Sequence, residues 1–306
     1  MLMPECYGIY YRDQVQRIRR DYGRAVEMME VEGVHDLRVD IKRFRAYGNL
    51  IEYVNPVFSA AVYLKTVRRL FKSAGPLRDL QVQLELVRDR SRKSDLELSE
   101  YYNALKSRET QARKVFLRKA GRFDFEVFDS MWTRVRRCLM YISPEYIRYK
   151  AEARFKGLVD EVIAFRGRTD FQEDDYHAIR ILAKEARYAL EIIRQCYPAR
   201  PEWEGLNNRL RSLHQALGRW HDSDVGLQHV ESFLLDYAGR PFYSPSDYTR
   251  LAHGLQEEKE LFLGKFEKDW KIFLAGLDRD NRDGEGGADG EEPVQNCEEQ
   301  EDPEGI

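Results

Sequence analysis

Cysteine is scarce in this chain, with four residues among 306. They stand far apart and form no Cys-x-x-Cys pair, at Cys6, Cys138, Cys196 and Cys297. This spacing indicates neither a zinc site nor a disulfide framework, and it fits a reducing cytoplasm. The sequence also lacks a signal-peptide pattern and any run of about 18 apolar residues, so we expect neither secretion nor a membrane span.

Strand patterns are missing as well, because no Val-, Ile- and Thr-rich segment alternates convincingly between apolar and polar residues. Apolar residues recur instead at three- and four-residue spacings, which predicts an all-α fold. Glycine and proline predict the breaks between helices, including one at Gly75-Pro76 and one at Gly218. New helices are expected to begin at Leu77 and Trp220. Further helices are predicted near 11–31, 35–54, 95–120, 124–142, 145–165, 202–218 and 246–277.

An acidic C-terminus conceals the positive charge of the rest of the chain. The formal net charge is −3, but residues 278–306 hold twelve acidic side chains against two arginines. That segment has a net charge of −10, which leaves +7 for residues 1–277. Its glycines, prolines and few apolar residues are typical of disorder. We therefore predict a helical domain over 1–277 and a disordered acidic tail over 278–306.

The basic residues of two helices follow the same order. His35, Arg38, Lys42 and Arg45 recur without a gap as His177, Arg180, Lys184 and Arg187. At about 100° per residue, each set falls within an arc of roughly 80° beside an apolar stripe. Like charges at this spacing destabilise an isolated helix. Their duplication therefore indicates an anionic partner.

The repeat continues beyond these helices with a period of about 142 residues. Gly75-Pro76-Leu77-Arg78-Asp79 corresponds to Gly218-Arg219-Trp220-His221-Asp222, which predicts duplicated halves over about 10–142 and 143–277. The copies differ where Glu185 replaces Arg43 and where His221 replaces Arg78. We interpret Asp79 and Asp222 as structural residues that orient an arginine or cap a helix start.

Four stretches in this order resemble the CHAD family, the conserved histidine α-helical domain. They are VHDLRVDIKRFR, GPLRDLQV, HAIRILAKEARYALE and LHQALGRWHDSDV, and the resemblance covers nearly everything except the acidic tail. It implies two pseudo-symmetric helical bundles around a basic central channel. It also implies binding of inorganic polyphosphate and, in bacteria, association with polyphosphate granules.

We predict non-catalytic polyphosphate binding, without a cofactor or metal, by a cytoplasmic protein associated with such granules. Arginine offers forked donors to phosphate oxygens and lysine a mobile charge. Helix starts favour anions, and a bound phosphate favours the protonated imidazole. Direct phosphate contact is predicted for His35, Arg38, Lys42, Arg45, His177, Arg180, Lys184 and Arg187. Secondary candidates are Arg43, Lys65, Arg68, Arg69, Lys72, Arg78, Arg211 and His214.

Two other functions remain open at the level of sequence. A nucleic acid or another polyanion offers similar phosphates, although the basic stripes lack the interleaved aromatics of single-strand binders. A metal-dependent phosphohydrolase would use His35-Asp36, or His214 with His221-Asp222. Asp36 lies about 100° from His35 on a helix, a poor start for two ligands on one metal. The sequence does not identify partner proteins.

Overall fold

A computed structural model describes residues 3–198, 200–237 and 245–285. These ranges contain helices joined by short turns, and no strand occurs within them, which confirms the all-α prediction. The nine helices of this described part are α1 (Met3–Val26), α2 (Val31–Val54), α3 (Ala60–Ser94), α4 (Ser99–Ala120), α5 (Glu126–Leu139), α6 (Pro144–Ile163), α7 (Glu173–Cys196), α8 (Pro201–Tyr237) and α9 (Pro245–Glu285).

The two histidine helices match in length and in the position of their histidines. α2 and α7 each have 24 residues, and the histidine is the fifth residue of both. Leu37, Ile41 and Phe44 are fully buried on the apolar stripe of α2, and Ile179, Ala183 and Ala186 are their counterparts on α7. The end of α2 at Val54 confirms the predicted boundary. Because the apolar stripes face the core, the basic arcs beside them lie at its edge.

The predicted break at Gly75-Pro76 is wrong, because α3 continues through it for 35 residues. Proline removes one helical hydrogen bond and ordinarily interrupts a helix. Here Leu70, Ala74 and Leu77 are buried on both sides of Pro76 and keep the helix in register with the core. Tertiary packing therefore outweighs the local cost of proline.

The predicted break at Gly218 is also wrong. α8 runs without interruption for 37 residues, so Trp220 does not begin a new helix. A glycine inside a helix costs only about 1 kcal/mol relative to alanine. Leu217 and Trp220 flank Gly218 and are both buried, which compensates for that cost.

Other boundaries differ at helix ends. α1 covers Met3–Val26 rather than 11–31, since Tyr7 and Tyr10 are buried in the core and extend the helix. Gly33 does not break α2 but lies within it, where a Cβ atom would come within 2.7 Å of the α1 backbone. α9 ends at Glu285 rather than 277, so the predicted tail begins with helical residues. Residues 286–306 lie outside the described ranges.

Two hydrophobic cores share the long helices α3 and α8. The larger core contains Leu70 and Leu77 of α3 together with Leu213 and Trp220 of α8. The smaller core begins at Leu80 of α3 and joins it to parts of α4, α8 and α9. The duplicated sequences around Gly75 and Gly218 therefore lie where the long helices pass from one core to the other.

A disulfide joins Cys6 of α1 to Cys196 of α7, with a Cα–Cα distance of 5.4 Å. The expectation that the cysteines form no disulfide is therefore wrong for this pair, and the argument for a reducing compartment loses its basis. The two residues are separated by 190 positions, so only the tertiary fold brings them together. Tyr7 and Tyr197 continue the same contact, with their hydroxyl oxygens 3.5 Å apart.

Within the described ranges, no helix combines the length and the apolar character needed to cross a membrane.

Candidate functional site

The basic edges of α2 and α7 meet where these helices pack together. We call their six inner cations the basic cluster, namely Arg38, Lys42, Arg45, Arg180, Lys184 and Arg187. All six side chains are half-buried. The fold thus brings together six of the eight residues that the sequence predicts for direct phosphate contact.

Lys42 lies at the centre of the basic cluster. Burial, followed by the charges of Lys184 and Arg38, lowers the pKa of Lys42 from its ordinary value of 10.5 to about 7. Burial and the charge of Arg180 lower the pKa of Lys184 to about 8, although Glu185 opposes this shift. Each lysine therefore experiences cations from both helices, which shows that the two basic edges form one site.

The arginines of the basic cluster lack acidic partners. In the part of the chain that the structure describes, none of the six cations forms an ion pair with a carboxylate. Buried guanidinium nitrogens without a hydrogen-bond acceptor in the protein occur on Arg45, Arg68, Arg78, Arg180 and Arg187. Buried cations ordinarily have a carboxylate or carbonyl partner. These nitrogens are therefore left without an acceptor in the described protein.

Phe71 of α3 supports the α2 side of the cluster. The guanidinium carbon of Arg38 lies 4.2 Å from the Phe71 ring centroid, and the charged groups of Lys42 and Arg45 lie at 5.9 and 5.6 Å. Arg38 Nη1 also donates a 3.0 Å hydrogen bond to the Phe71 carbonyl oxygen. Gly75 permits this approach, since a Cβ there would be 3.2 Å from Arg38 Nη1. The ring orients cations while leaving other guanidinium donors open.

His214 of α8 supports the α7 side. Its Nδ1 atom lies 3.4 Å from Arg187 Nη1. Burial, followed by the charges of Arg187 and Arg180, lowers the pKa of His214 to about 3. The imidazole is therefore neutral at physiological pH, and it can accept a hydrogen bond from the guanidinium without adding charge.

The two histidines of the repeat, His35 and His177, differ in their exposure. His35 is half-buried, and burial followed by the charge of Arg78 lowers its pKa. His177 is exposed, with its ring centroid 5.9 Å from that of His221. Both begin the second turn of their helices, just past the N-terminal turn whose free backbone N–H groups and helix dipole attract anions.

Asp79 and Asp222 occupy corresponding positions on α3 and α8. Asp79 raises the pKa of Arg38, and Asp222 raises that of Arg180, although burial lowers both values overall. Neither aspartate forms an ion pair with these arginines in the described chain, so the role of orienting an arginine stays a prediction. The alternative role of capping a helix start is wrong, because both aspartates lie inside continuous helices.

Apart from Arg78 and His214, the secondary candidates separate into three groups. Arg43 forms ion pairs with Asp40 at 3.2 Å and with Glu191 at 3.2 Å, so its charge is already balanced. Arg68 lowers the pKa of Arg45, and Arg211 lowers that of Arg187, which extends the basic cluster along α3 and α8. The remaining α3 candidates are exposed at the surface, namely Lys65, Arg69 and Lys72.

Arg78 opens onto a cavity of about 570 Å³ between α3, α8 and α9. Arg219, Asp222, Arg90 and Lys93 line the same cavity. Sequence reasoning missed Phe71 and Arg219 as members of the site. The signal for Arg219 was its position inside Gly218-Arg219-Trp220-His221-Asp222, the second copy of the repeated motif, whereas Phe71 required the fold.

The histidine–aspartate pairs do not assemble a metal centre in the described residues. Asp36 accepts a 2.7 Å hydrogen bond from Arg24 of α1 rather than joining His35. No cluster of three or more potential metal ligands occurs within the described ranges. The site instead presents spaced, half-buried cationic donors, an arrangement suited to an anion with repeated charges.

Comparisons with known proteins identify the family. The CHAD domain family model matches residues 10–231. The crystal structure of the CHAD domain from the plant Ricinus communis aligns with a TM-score of 0.63 and 17% identity, covering 90% of this chain and 92% of that one. PptA from Streptomyces chartreusis aligns with a TM-score of 0.60 and 17% identity, covering 89% of this chain and 100% of that one. No curated protein matches. The family match extends over more than half of the sequence, and the chain therefore belongs to the CHAD domain family.

Proposed function

We propose that this protein binds inorganic polyphosphate, without catalysis, at the basic cluster. The observation that carries the proposal is the set of half-buried cations on α2 and α7 that have no carboxylate partner in the described chain. Burying like charges together is unfavourable unless an anion compensates them. A bound polyanion supplies that compensation at several positions at once.

The distribution of donors favours a chain of phosphates over a single small anion. The cations lie on two helices and continue through Arg68, Arg78 and Arg211 onto α3 and α8. A single phosphate has three or four oxygens and needs few donors. A polyphosphate chain can engage successive cations with successive phosphates, so its affinity accumulates over many contacts.

The use of Phe71 argues against single-stranded nucleic acid as the main ligand. Its ring is surrounded by Arg38, Lys42 and Arg45 rather than left open for a base. Single-strand binders ordinarily offer open aromatic rings on which bases stack. A nucleic acid would therefore engage this site only through its phosphates. Association with polyphosphate granules is part of the same proposal.

The test is the dependence of polyphosphate affinity on salt concentration. Counterion release predicts a negative slope of log affinity against log salt of roughly 0.7 per contacted phosphate of a single strand. A variant that replaces His35, Arg38, Arg180 and Arg187 with glutamine should bind weakly and show a flatter slope. The matched control replaces four exposed basic residues outside the cluster, namely Lys114, Arg118, Lys119 and Arg136.

The outcomes separate the alternatives. Loss of affinity in the folded cluster variant, with the control unchanged, supports the proposed site. Equal losses in both variants would mean that binding depends on overall charge and not on this site. Duplex DNA that displaces polyphosphate at equal phosphate concentration would favour a nucleic-acid binder. Release of orthophosphate from polyphosphate by the purified protein would contradict the non-catalytic part of the proposal.

A further inference from the structure

Lys42 and Lys184 combine two properties that rarely coincide in one side chain. Each amine belongs to the basic cluster that can hold a phosphate group, and neither forms an ion pair with a carboxylate in the described chain. The charges that act on Lys42 are all cations, whereas Lys184 is influenced by three arginines and by Glu185. An anion that enters the cluster is therefore brought close to an amine by the same residues that bind it.

In the anion-free cluster, the charge state of these amines makes them nucleophilic near neutral pH. The pKa values of about 7 for Lys42 and about 8 for Lys184 leave a large neutral fraction of each amine between pH 7 and 8. An ordinary lysine, with a pKa near 10.4, has only about one neutral amine in a thousand at pH 7.5. Lysines desolvated beside other cations are used as nucleophiles for this reason.

The groups that influence the pKa values of Lys42 and Lys184 lie on several helices. α2 contributes Arg38 and Arg45, and α7 contributes Arg180 and Glu185. His214 of α8 is neutral and adds no charge. Phe71 of α3 lies near Lys42 and supplies a desolvated surface. Glu185 raises the pKa of Lys184 against the effect of burial. The pKa of Lys184 is therefore lowered less than that of Lys42.

We propose that Lys42 and Lys184 are acylation sites for acyl phosphates, whose phosphate group is held by the surrounding arginines. The inference uses the anion site of the proposed function but does not require polyphosphate to be its ligand. An acyl phosphate carries the dianionic group that the basic cluster attracts and, next to it, an electrophilic carbonyl carbon. The arginines thus serve as positioning residues, and the lysines act as acceptors.

The reaction balances without an oxidant or a cofactor. The neutral Nζ atom attacks the carbonyl carbon, and a C–N bond forms. The bond between the carbonyl carbon and the phosphate oxygen breaks, and phosphate departs with the electron pair. The proton lost from nitrogen passes to the departing phosphate or to water. The products are an acylated lysine and inorganic phosphate, whose developing negative charge the arginines stabilise.

Acylation has a direct consequence for the same site. The modified lysine can no longer carry a positive charge, so each acyl group removes one cation that could contact a polyanion. The acyl group also occupies space between α2 and α7. Modification and polyanion binding should therefore exclude each other.

The experiment treats the full-length protein with acetyl phosphate at pH 7.5 and follows each lysine by peptide mass spectrometry. Lys114 and Lys119, exposed on α4, are the internal controls. We expect the initial acetylation rates of Lys42 and Lys184 to be at least about tenfold higher than those of the control lysines. This ratio is smaller than the ratio of their neutral-amine fractions. N-acetylimidazole, an uncharged reagent, should give a smaller preference because the arginines do not hold it.

Two further arms separate this inference from the proposed function. Arg180→Gln should reduce the preference for acetyl phosphate over N-acetylimidazole at Lys184, whereas Arg118→Gln should not. Polyphosphate should protect both lysines if it occupies the cluster. Fast selective acetylation without protection would sustain the inference and contradict polyphosphate binding. Acetylation of Lys42 and Lys184 no faster than of Lys114 and Lys119 would overturn the inference, whatever polyphosphate does.

Discussion

Two regions of this protein bury charged side chains in opposite ways. On α4, Glu109 has a side chain only 3% exposed, and it pairs with Arg113 at 2.5 Å and Lys106 at 3.1 Å. Burial raises the pKa of Glu109, but the hydrogen bonds from these cations outweigh it and lower the pKa overall. In the basic cluster, the buried charges are the cations, and burial lowers the pKa of Lys42 and Lys184 without a carboxylate in contact.

The difference separates charges that stabilise the fold from charges kept for a ligand. A buried carboxylate with two cationic partners is satisfied within the chain, so removing a partner costs stability. A group of buried cations without partners is costly in the free protein and is relieved when an anion binds. The two regions should therefore respond in opposite directions to the same kind of substitution.

The largest expected effect is on affinity. Replacing Arg38 and Arg180 together with glutamine should lower polyphosphate affinity by about 100-fold or more at low salt, because each charge-assisted contact contributes roughly 1.5–3 kcal/mol. The same change should raise the thermal stability of the free protein, since it removes repulsion. Titration calorimetry and thermal unfolding test the two parts. Lower stability together with unchanged affinity would mean that these arginines stabilise the fold and do not bind the ligand.

The opposite response is expected at α4. Arg113→Gln should lower the free energy of unfolding by about 1–3 kcal/mol, because Glu109 keeps only one cationic partner. Polyphosphate affinity should remain within about twofold of the unchanged protein, since one charge that lies outside the site and is already paired contributes little. Chemical denaturation and titration on the same sample measure both. A loss of affinity as large as that of the Arg38 and Arg180 variant would mean that Arg113 also contributes to polyphosphate binding.

Dependence on pH sharpens the contrast through Lys42. Its pKa is about 7 in the folded protein and 10.5 when unperturbed, so the unfolded chain binds more protons between these values. The contribution of Lys42 to stability is therefore complete above 10.5 and is lost as pH falls through 7. Stability of the free protein should rise from pH 7 to 9.5.

Affinity should change in the other direction over that interval. A polyanion binds the protonated amine, so binding takes up a proton and weakens as pH rises above 7. Lys42→Met should reduce both the rise in stability and the fall in affinity with increasing pH. Lys119→Met should leave both pH dependences unchanged. Affinity that is independent of pH would mean that Lys42 does not contact the anion.

The sequence predicts the composition of the site better than its surroundings. The periodic positions of Arg38, Lys42 and their counterparts follow from helix geometry alone, because a helix places residues three, four and seven apart on one side. The continuity of α3 through Pro76 could not be predicted locally, since buried leucines on both sides outweigh the missing hydrogen bond. The Cys6–Cys196 pairing required contacts across 190 residues.

The sequence alone also could not predict which basic side chains are paired with carboxylates. Arg43 belongs to the same basic helix as Lys42, yet it turns toward Asp40 and Glu191 and forms ion pairs with both. Asp40 comes from its own helix and was visible as a neighbour, whereas Glu191 lies on α7, 148 positions away. Periodicity places Arg43 near the site, and only tertiary structure shows that its charge is balanced.

The smallest expected effect concerns the asymmetry between the two histidine helices. Glu185 replaces the cation found at Arg43, and its charge raises the pKa values of Arg45 and Lys184 against the effect of burial. Glu185→Gln should raise polyphosphate affinity about two- to fivefold at low salt, because it removes one repulsive charge near the phosphates. The gain should disappear at high salt.

Arg43→Gln, the matched change on α2, should alter affinity less than cluster substitutions do, since Asp40 and Glu191 already balance its charge. A large loss in Arg43→Gln with no gain in Glu185→Gln would place the phosphates on the other side of α2, beside its ion pairs and away from Lys42.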